Sequence, residues 1–176
     1  TLQQVIELAL QHQNAGRYTE AESLYSQILQ VVPNQPDALH LSGVLAYQIG
    51  NYVDAVDRIS TALKFLPNYA DAHCNLGNAL QAQGNHNDAV SCYQKAISIK
   101  PDYVAAHFNL GNAHRRLNEY GSAISSYQVA LSFNPNFAEA HCSIGRTFLD
   151  DGDYGEAISH LKNAISVRPS YDEAFF

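Results

Sequence analysis

The sequence predicts an all-α protein of five consecutive helical hairpins, and three periodic series of residues carry this prediction. Prolines recur every 34 residues, at Pro33, Pro67, Pro101, Pro135 and Pro169. Glycines recur with the same spacing at Gly43, Gly77, Gly111 and Gly145. Alanines do so at Ala21, Ala55, Ala89, Ala123 and Ala157. A fixed period of this length indicates a repeat architecture, in which each repeat is one supersecondary element.

Five uninterrupted repeats account for residues 2–171 of the 176-residue chain, as one array without a linker. Their predicted bounds are residues 2–35, 36–69, 70–103, 104–137 and 138–171. Residues 172–176 are predicted to begin a further helix, since the sequence YDEAFF matches the start of a repeat. The apolar face of the last complete hairpin therefore requires further cover. We expect either that the native chain continues past Phe176 or that this end associates with other copies.

The third repeat shows the signals that predict two helices in each unit. The first helix covers roughly residues 71–83, and Gly84 ends it because glycine tolerates the left-handed conformation found after helix ends. Asn85, with Asp88 three residues later, predicts the start of the second helix. The second helix has apolar residues at helical spacing: Ala89, Val90, Tyr93, Ala96 and Ile97. Pro101 marks its end, because the residue before a proline disfavours helix.

The first repeat departs most from this pattern. Ala9 stands where the later repeats have glycine, and Ile28 stands where they have alanine. We interpret residues 2–35 as a genuine first repeat with looser helix packing.

These features resemble the tetratricopeptide repeat, a 34-residue motif, over 170 of the 176 residues. The resemblance implies a right-handed superhelical solenoid of antiparallel helix-turn-helix hairpins. It also implies that the first helix of each repeat lines a concave groove, and that this groove holds a peptide or a partner segment.

The string H-x-N-L-G-N-A occurs twice, beginning at residues 73 and 107. It places Asn75 and Asn78 on one helix face and Asn109 and Asn112 on the same face of the next repeat. By the family resemblance, this face borders the groove. A carboxamide offers a donor and an acceptor, like a peptide backbone, so the four asparagines predict a ladder that grips an extended segment. The alternative is that they bridge adjacent helices or hold water.

Charged residues flank this predicted groove. Asp71 stands at the second position of the third repeat, as Asp37 and Glu139 do in theirs. Arg115, Arg116 and Arg146 lie toward the C-terminal half. These charges are secondary candidates for contact with a ligand, since most surface charges are only solvated.

Composition excludes several function classes. The net charge is −7 with only ten lysines and arginines, which argues against nucleic acid as a partner. The sequence contains no run of 18 apolar residues, so it predicts no membrane-spanning helix. Three widely spaced cysteines and the lack of a leader pattern favour a cytoplasmic protein with reduced thiols. His73, His107 and His141 are one repeat apart, too far for one metal ion, and we expect them to pack between helices.

No catalytic motif occurs in the sequence, so we predict a non-catalytic protein-interaction module without a cofactor. The string YADAHCNLGNAL is also similar to the repeat arrays of O-linked N-acetylglucosamine transferases. That resemblance gives an alternative function, the acceptor-recognition arm of a larger glycosyltransferase. However, Leu41, Ala105 and Ser143 interrupt the pattern of that family. A second alternative is a self-assembling scaffold.

Overall fold

The computed structural model describes residues 1–169, which form ten α-helices and no strand. The first helices of the repeats are α1 (Leu2–Asn14), α3 (Pro36–Gln48), α5 (Ala70–Ala82), α7 (Val104–Arg116) and α9 (Ala138–Asp151). The second helices are α2 (Tyr18–Val31), α4 (Tyr52–Phe65), α6 (His86–Ile99), α8 (Tyr120–Phe133) and α10 (Tyr154–Val167). Each series of helices starts every 34 residues, as the sequence predicts. The further helix predicted from YDEAFF lies outside the described residues.

The chain divides into two compact units, Thr1–Asn85 and His86–Phe176. In the first unit, α1 packs on α2, α2 on α3, α3 on α4 and α4 on α5. In the second unit, α6 packs on α7, α7 on α8, α8 on α9 and α9 on α10. Within each unit, neighbouring first helices also contact each other, as α3 contacts α5 and α7 contacts α9.

The turns between helices have the conformations that their residues favour. Gly84 has a φ of +83° just after α5, which confirms the predicted helix end. In the fourth repeat, Asn118 takes the same left-handed conformation. The Asn51 and Asp153 side chains accept hydrogen bonds from the backbone N–H groups of Asp54 and Glu156 at the starts of α4 and α10.

In the second and fourth hairpins, a large side chain packs against a glycine of the facing helix. Tyr127 on α8 is fully buried against Gly111 on α7. Ile59 faces Gly43 in the second repeat in the same way. The departures in the first repeat, Ala9 and Ile28, are both buried. Within residues 1–169, no helix is long and apolar enough to cross a membrane.

Candidate functional site

Asn75 on α5 belongs to a chain of hydrogen bonds that runs back to α3. Its Nδ2 lies 2.9 Å from Nε2 of His40, and Nδ1 of His40 lies 3.1 Å from Oη of Tyr69. Burial lowers the pKa of His40, so the ring is neutral, although Asp71 and Asp37 oppose this shift. An amide nitrogen only donates, so His40 accepts at Nε2 and carries its proton on Nδ1.

Tyr69 continues this chain to a carboxylate. His40 donates to the Tyr69 oxygen, and the tyrosine hydroxyl donates to Asp37. Burial, with the neighbouring carboxylates of Asp37 and Asp71, raises the pKa of Tyr69 to about 12. Among residues 1–169, one N–H of Asn75 is used in this way, and its carbonyl oxygen and second N–H make no further hydrogen bond.

Asn112 on α7 is held in the opposite sense. Its Oδ1 accepts a hydrogen bond of 2.8 Å from Oη of Tyr127 on α8. Tyr127 is fully buried, and burial raises its pKa to about 12, so the hydroxyl keeps its proton and remains a donor. The carbonyl oxygen of Asn112 is thus hydrogen-bonded, and among residues 1–169 its NH2 group makes no further hydrogen bond.

The other predicted asparagines, Asn78 on α5 and Asn109 on α7, are half-buried. Each of them also takes part in an interaction within the chain. All four asparagines therefore take part in interactions within the chain. The contacts of Asn75 and Asn112 occupy only part of their hydrogen-bonding capacity.

The predicted charged residues lie near these asparagines within each unit. Asp71 is exposed in the first turn of α5 and acts electrostatically on His40. Arg115 at the end of α7 forms an ion pair with Asp150 on α9, with Nε 3.5 Å from Oδ2. Arg116 and Arg146 are exposed.

Sequence reasoning did not predict that the aromatic residue at the end of a repeat packs on the side chain at the fifth position of the same repeat. Tyr69 lies edge-on to His40 with ring centroids 4.7 Å apart, and Phe137 contacts Phe108 at 4.9 Å. A periodic signal for these contacts was present, since Tyr69, Tyr103 and Phe137 are each 34 residues apart. The covered side chain is polar in the second repeat and apolar in the fourth.

The periodic histidines hold the turns between repeats. Nε2 of His73 and of His107 lies 2.8 Å from the carbonyl oxygen of the proline six residues earlier. The corresponding distance for His141 is 3.3 Å. His107 also stacks on Phe133 of α8, in agreement with the predicted packing between helices. Within residues 1–169, no three potential metal-ligating side chains cluster together.

Acid is expected to destabilise the protein through His40 and His160. Burial lowers the pKa of both from the usual 6.5; at His160 the charge of His141 adds to this shift and Glu156 opposes it. Below about pH 6.5 the unfolded chain therefore binds more protons than the folded chain, so the free energy of unfolding falls as pH falls. Urea unfolding between about pH 7.5 and 5 should show this decline.

The variant His160→Ser separates the contribution of His160, because Ser126 occupies the same position in the fourth repeat. The Nδ1 atoms of His141 and His160 are buried without a hydrogen-bond partner among residues 1–169, and the ring centroids are 6.1 Å apart. The pH dependence should be weaker in this variant. A slope equal to that of the wild type would contradict the assignment to His160.

Comparisons with known proteins identify the family. Profiles described as tetratricopeptide repeat match residues 70–103, 92–125 and 138–171. A further profile described as TPR repeat matches residues 43–84 and 111–152. The chain belongs to the tetratricopeptide repeat (TPR) family. No curated protein sequence matches it significantly.

Solved TPR structures share the fold of this chain. A crystal structure of MamA has a TM-score of 0.85 and 25% identity, covering 92% of this chain and 94% of MamA. MamA from Desulfovibrio magneticus RS-1 has a TM-score of 0.88 and 20% identity, covering 97% of each chain. YrrB, described as a TPR protein with an unusual peptide-binding site, has a TM-score of 0.82 and 20% identity, covering 97% of this chain and 88% of YrrB. The predicted fold class, an all-α TPR solenoid, is confirmed.

Proposed function

We propose that this TPR protein is a non-catalytic interaction module that binds an extended segment of a partner protein along the first helices of its repeats. The single observation that supports the proposal is the way Asn75 and Asn112 are held. Each carboxamide is fixed by one internal hydrogen bond to a buried side chain and keeps part of its capacity for a ligand. Groups fixed before binding lose less conformational entropy when a ligand arrives.

The chemistry of the proposed ligand follows from these groups. Carboxamides match the N–H and C=O groups of an extended backbone, whatever its side chains. Asn78 and Asn109 repeat the same residue type one turn away on α5 and α7. YrrB, which shares the fold, is described as having a peptide-binding site, and this description supports the choice of a peptide ligand. A cytoplasmic location remains part of the proposal.

The proposal is tested by a paired capture experiment from the source lysate. One bait is the wild-type chain, and the other carries alanine at Asn75, Asn78, Asn109 and Asn112. Circular dichroism first establishes that the variant folds. A matched control carries Asn87→Ala and Asn163→Ala, which change exposed asparagines on the second helices α6 and α10.

Captured partners are then mapped to a segment, and synthetic peptides of that segment are titrated by fluorescence anisotropy. We expect the peptide to bind the wild type and the control equally, and the groove variant about tenfold or more weakly. Equal binding to all three would contradict a role for the asparagines. Capture of a second copy of this chain as the main partner would favour the scaffold function instead.

A further inference from the structure

The orientation of Asn112 restricts what this residue recognises. Its Oδ1 is 2.8 Å from Oη of Tyr127, a fully buried hydroxyl that keeps its proton. In this orientation the tyrosine hydroxyl is the donor and Oδ1 the acceptor, whereas rotation of the carboxamide by half a turn would make its NH2 group the donor and the tyrosine oxygen the acceptor. In the observed orientation, Asn112 offers its two N–H donors to a ligand.

Positive charge lies around these donors on the second unit. Arg115 and Arg116 are three and four residues after Asn112 on α7, so they share its helix face. Arg146 occupies on α9 the position that Asn112 has on α7, and these two helices contact each other. Asp150 offsets part of the charge of Arg115. Three of the ten lysines and arginines of the chain lie at this surface, and Arg146 already takes part in an interaction within the chain.

We propose that this surface of the second unit, formed by Asn112, Arg115, Arg116 and Arg146, binds the side-chain carboxylates of an acidic segment in the partner protein. The inference rests on the proposed function and specifies its ligand. A guanidinium group donates two parallel hydrogen bonds to a carboxylate, and the NH2 of Asn112 adds a neutral donor. Arginines at the end of a helix also complement its dipole, and the experiment below separates this structural role from binding.

Two features of this surface act against a doubly charged phosphate group. Arg115 and Arg116 lie in the last turn of α7, where the helix dipole is negative. The negative end of the helix dipole repels a doubly charged anion more strongly than a singly charged one. Asp150 adds a further negative charge close to Arg115.

Four synthetic peptides of equal length are titrated against the full chain by fluorescence anisotropy. They share a Gly/Ser background and carry, at the same spaced positions, glutamate, glutamine, lysine or phosphoserine; all have amidated C-termini. We expect the glutamate peptide to bind about tenfold or more tightly than the glutamine and lysine peptides, and to weaken with salt. Equal binding of the glutamate and glutamine peptides, no binding of either, or tighter binding of the phosphoserine peptide would overturn the proposal.

Matched variants locate the binding. Asn112→Asp keeps an acceptor for Tyr127 and replaces the NH2 group by a charge that repels carboxylates, so binding of the glutamate peptide should fall about tenfold or more. The double variant with Arg116→Gln and Arg146→Gln should lose binding to a similar extent. Its control carries Lys95→Gln and Lys162→Gln, which remove the same charge from exposed sites on α6 and α10. A loss in the control as large as in the arginine variant would place the binding elsewhere and overturn the proposal.

A third variant tests the hydrogen bond that orients Asn112. Tyr127→Phe removes the hydroxyl, so the carboxamide can present either end. We expect the preference for the glutamate peptide over the glutamine peptide to decrease about threefold or more while the protein stays folded. If the preference stays unchanged, Tyr127 does not orient Asn112 for binding.

If the glutamate peptide fails to bind while the variant with four alanines still loses its natural partner, the proposed function stands and the acidic ligand is wrong.

Discussion

Replacement of Gly111 by alanine is expected to lower the free energy of unfolding by about 2–3 kcal/mol. A Cβ atom at this position would lie 2.5 Å from Cε1 and 2.6 Å from Cδ1 of Tyr127. These atoms belong to a rigid, fully buried ring, so the ring cannot avoid the methyl group by a local rotation. The contact therefore forces α7 and α8 apart and disturbs the hydrogen bond between Tyr127 and Asn112.

The matched control is Gly121→Ala on α8, where a Cβ atom would meet nothing within 4 Å. This substitution should raise the free energy of unfolding by about 0.5–1 kcal/mol, because alanine has the higher helix propensity. Both variants are compared with the wild type by urea unfolding monitored by circular dichroism. Equal stabilities for the two variants would refute the close approach of α7 and α8 at Gly111.

The substitution Tyr25→Ala is expected to cost about 3–5 kcal/mol. Tyr25 on α2 is fully buried, and its hydroxyl donates a 2.9 Å hydrogen bond to Oε1 of Gln13 on α1. Gln13 in turn donates to Oε1 of Gln48 on α3, at 2.8 Å. The alanine variant thus leaves a cavity. It also removes the hydroxyl that connects α2 to Gln13 on α1 and, through Gln13, to Gln48 on α3.

The variant Tyr25→Phe isolates the hydroxyl, because the ring stays and only the hydrogen bond to the buried Gln13 is lost. Its expected cost is about 1–2 kcal/mol. The two variants are measured by the same denaturant titration, with the slope of the transition checked for two-state behaviour. A phenylalanine variant as unstable as the alanine variant would assign the effect to the hydroxyl rather than to packing.

The fifth position shows how one repeat pattern produces two different surfaces. In the second repeat, His40 lies under Tyr69 and connects Asn75 to Asp37. In the fourth repeat, Phe108 lies under Phe137 and makes only ring contacts there. Asp37 and Asp71 lie close to His40 in the first arrangement. Arg115 and Arg116 lie on α7, the helix that carries Phe108. The surfaces around the fifth position therefore differ in polarity and charge between the second and fourth repeats.

The sequence by itself determined the ten helices of residues 1–169 and their spacing. Helix ends depend on residues within a few positions, such as Gly84 with its positive φ and the Asn51 side chain at the start of α4. Glycine also recurs at a fixed interval, and Gly43, Gly111 and Gly145 each lie against the second helix of their own hairpin. Helix ends depend on nearby residues, and helix spacing follows the 34-residue period. The sequence of one repeat therefore predicts both for the other repeats.

Only the tertiary structure decided what the asparagines are bonded to. The partner of Asn75 is 35 residues away in the chain, and the partner of Asn112 is 15 residues away. Both partners are side chains that vary between repeats, because His40 is replaced by Phe108 two repeats later and Tyr127 is replaced by Leu161 one repeat later. A carboxamide can donate or accept with equal ease, so its orientation follows from the neighbour that folding places beside it. For this reason the sequence identified the asparagines as polar groups on one face, and the packed helices determined which atoms of Asn75 and Asn112 are hydrogen-bonded within the protein.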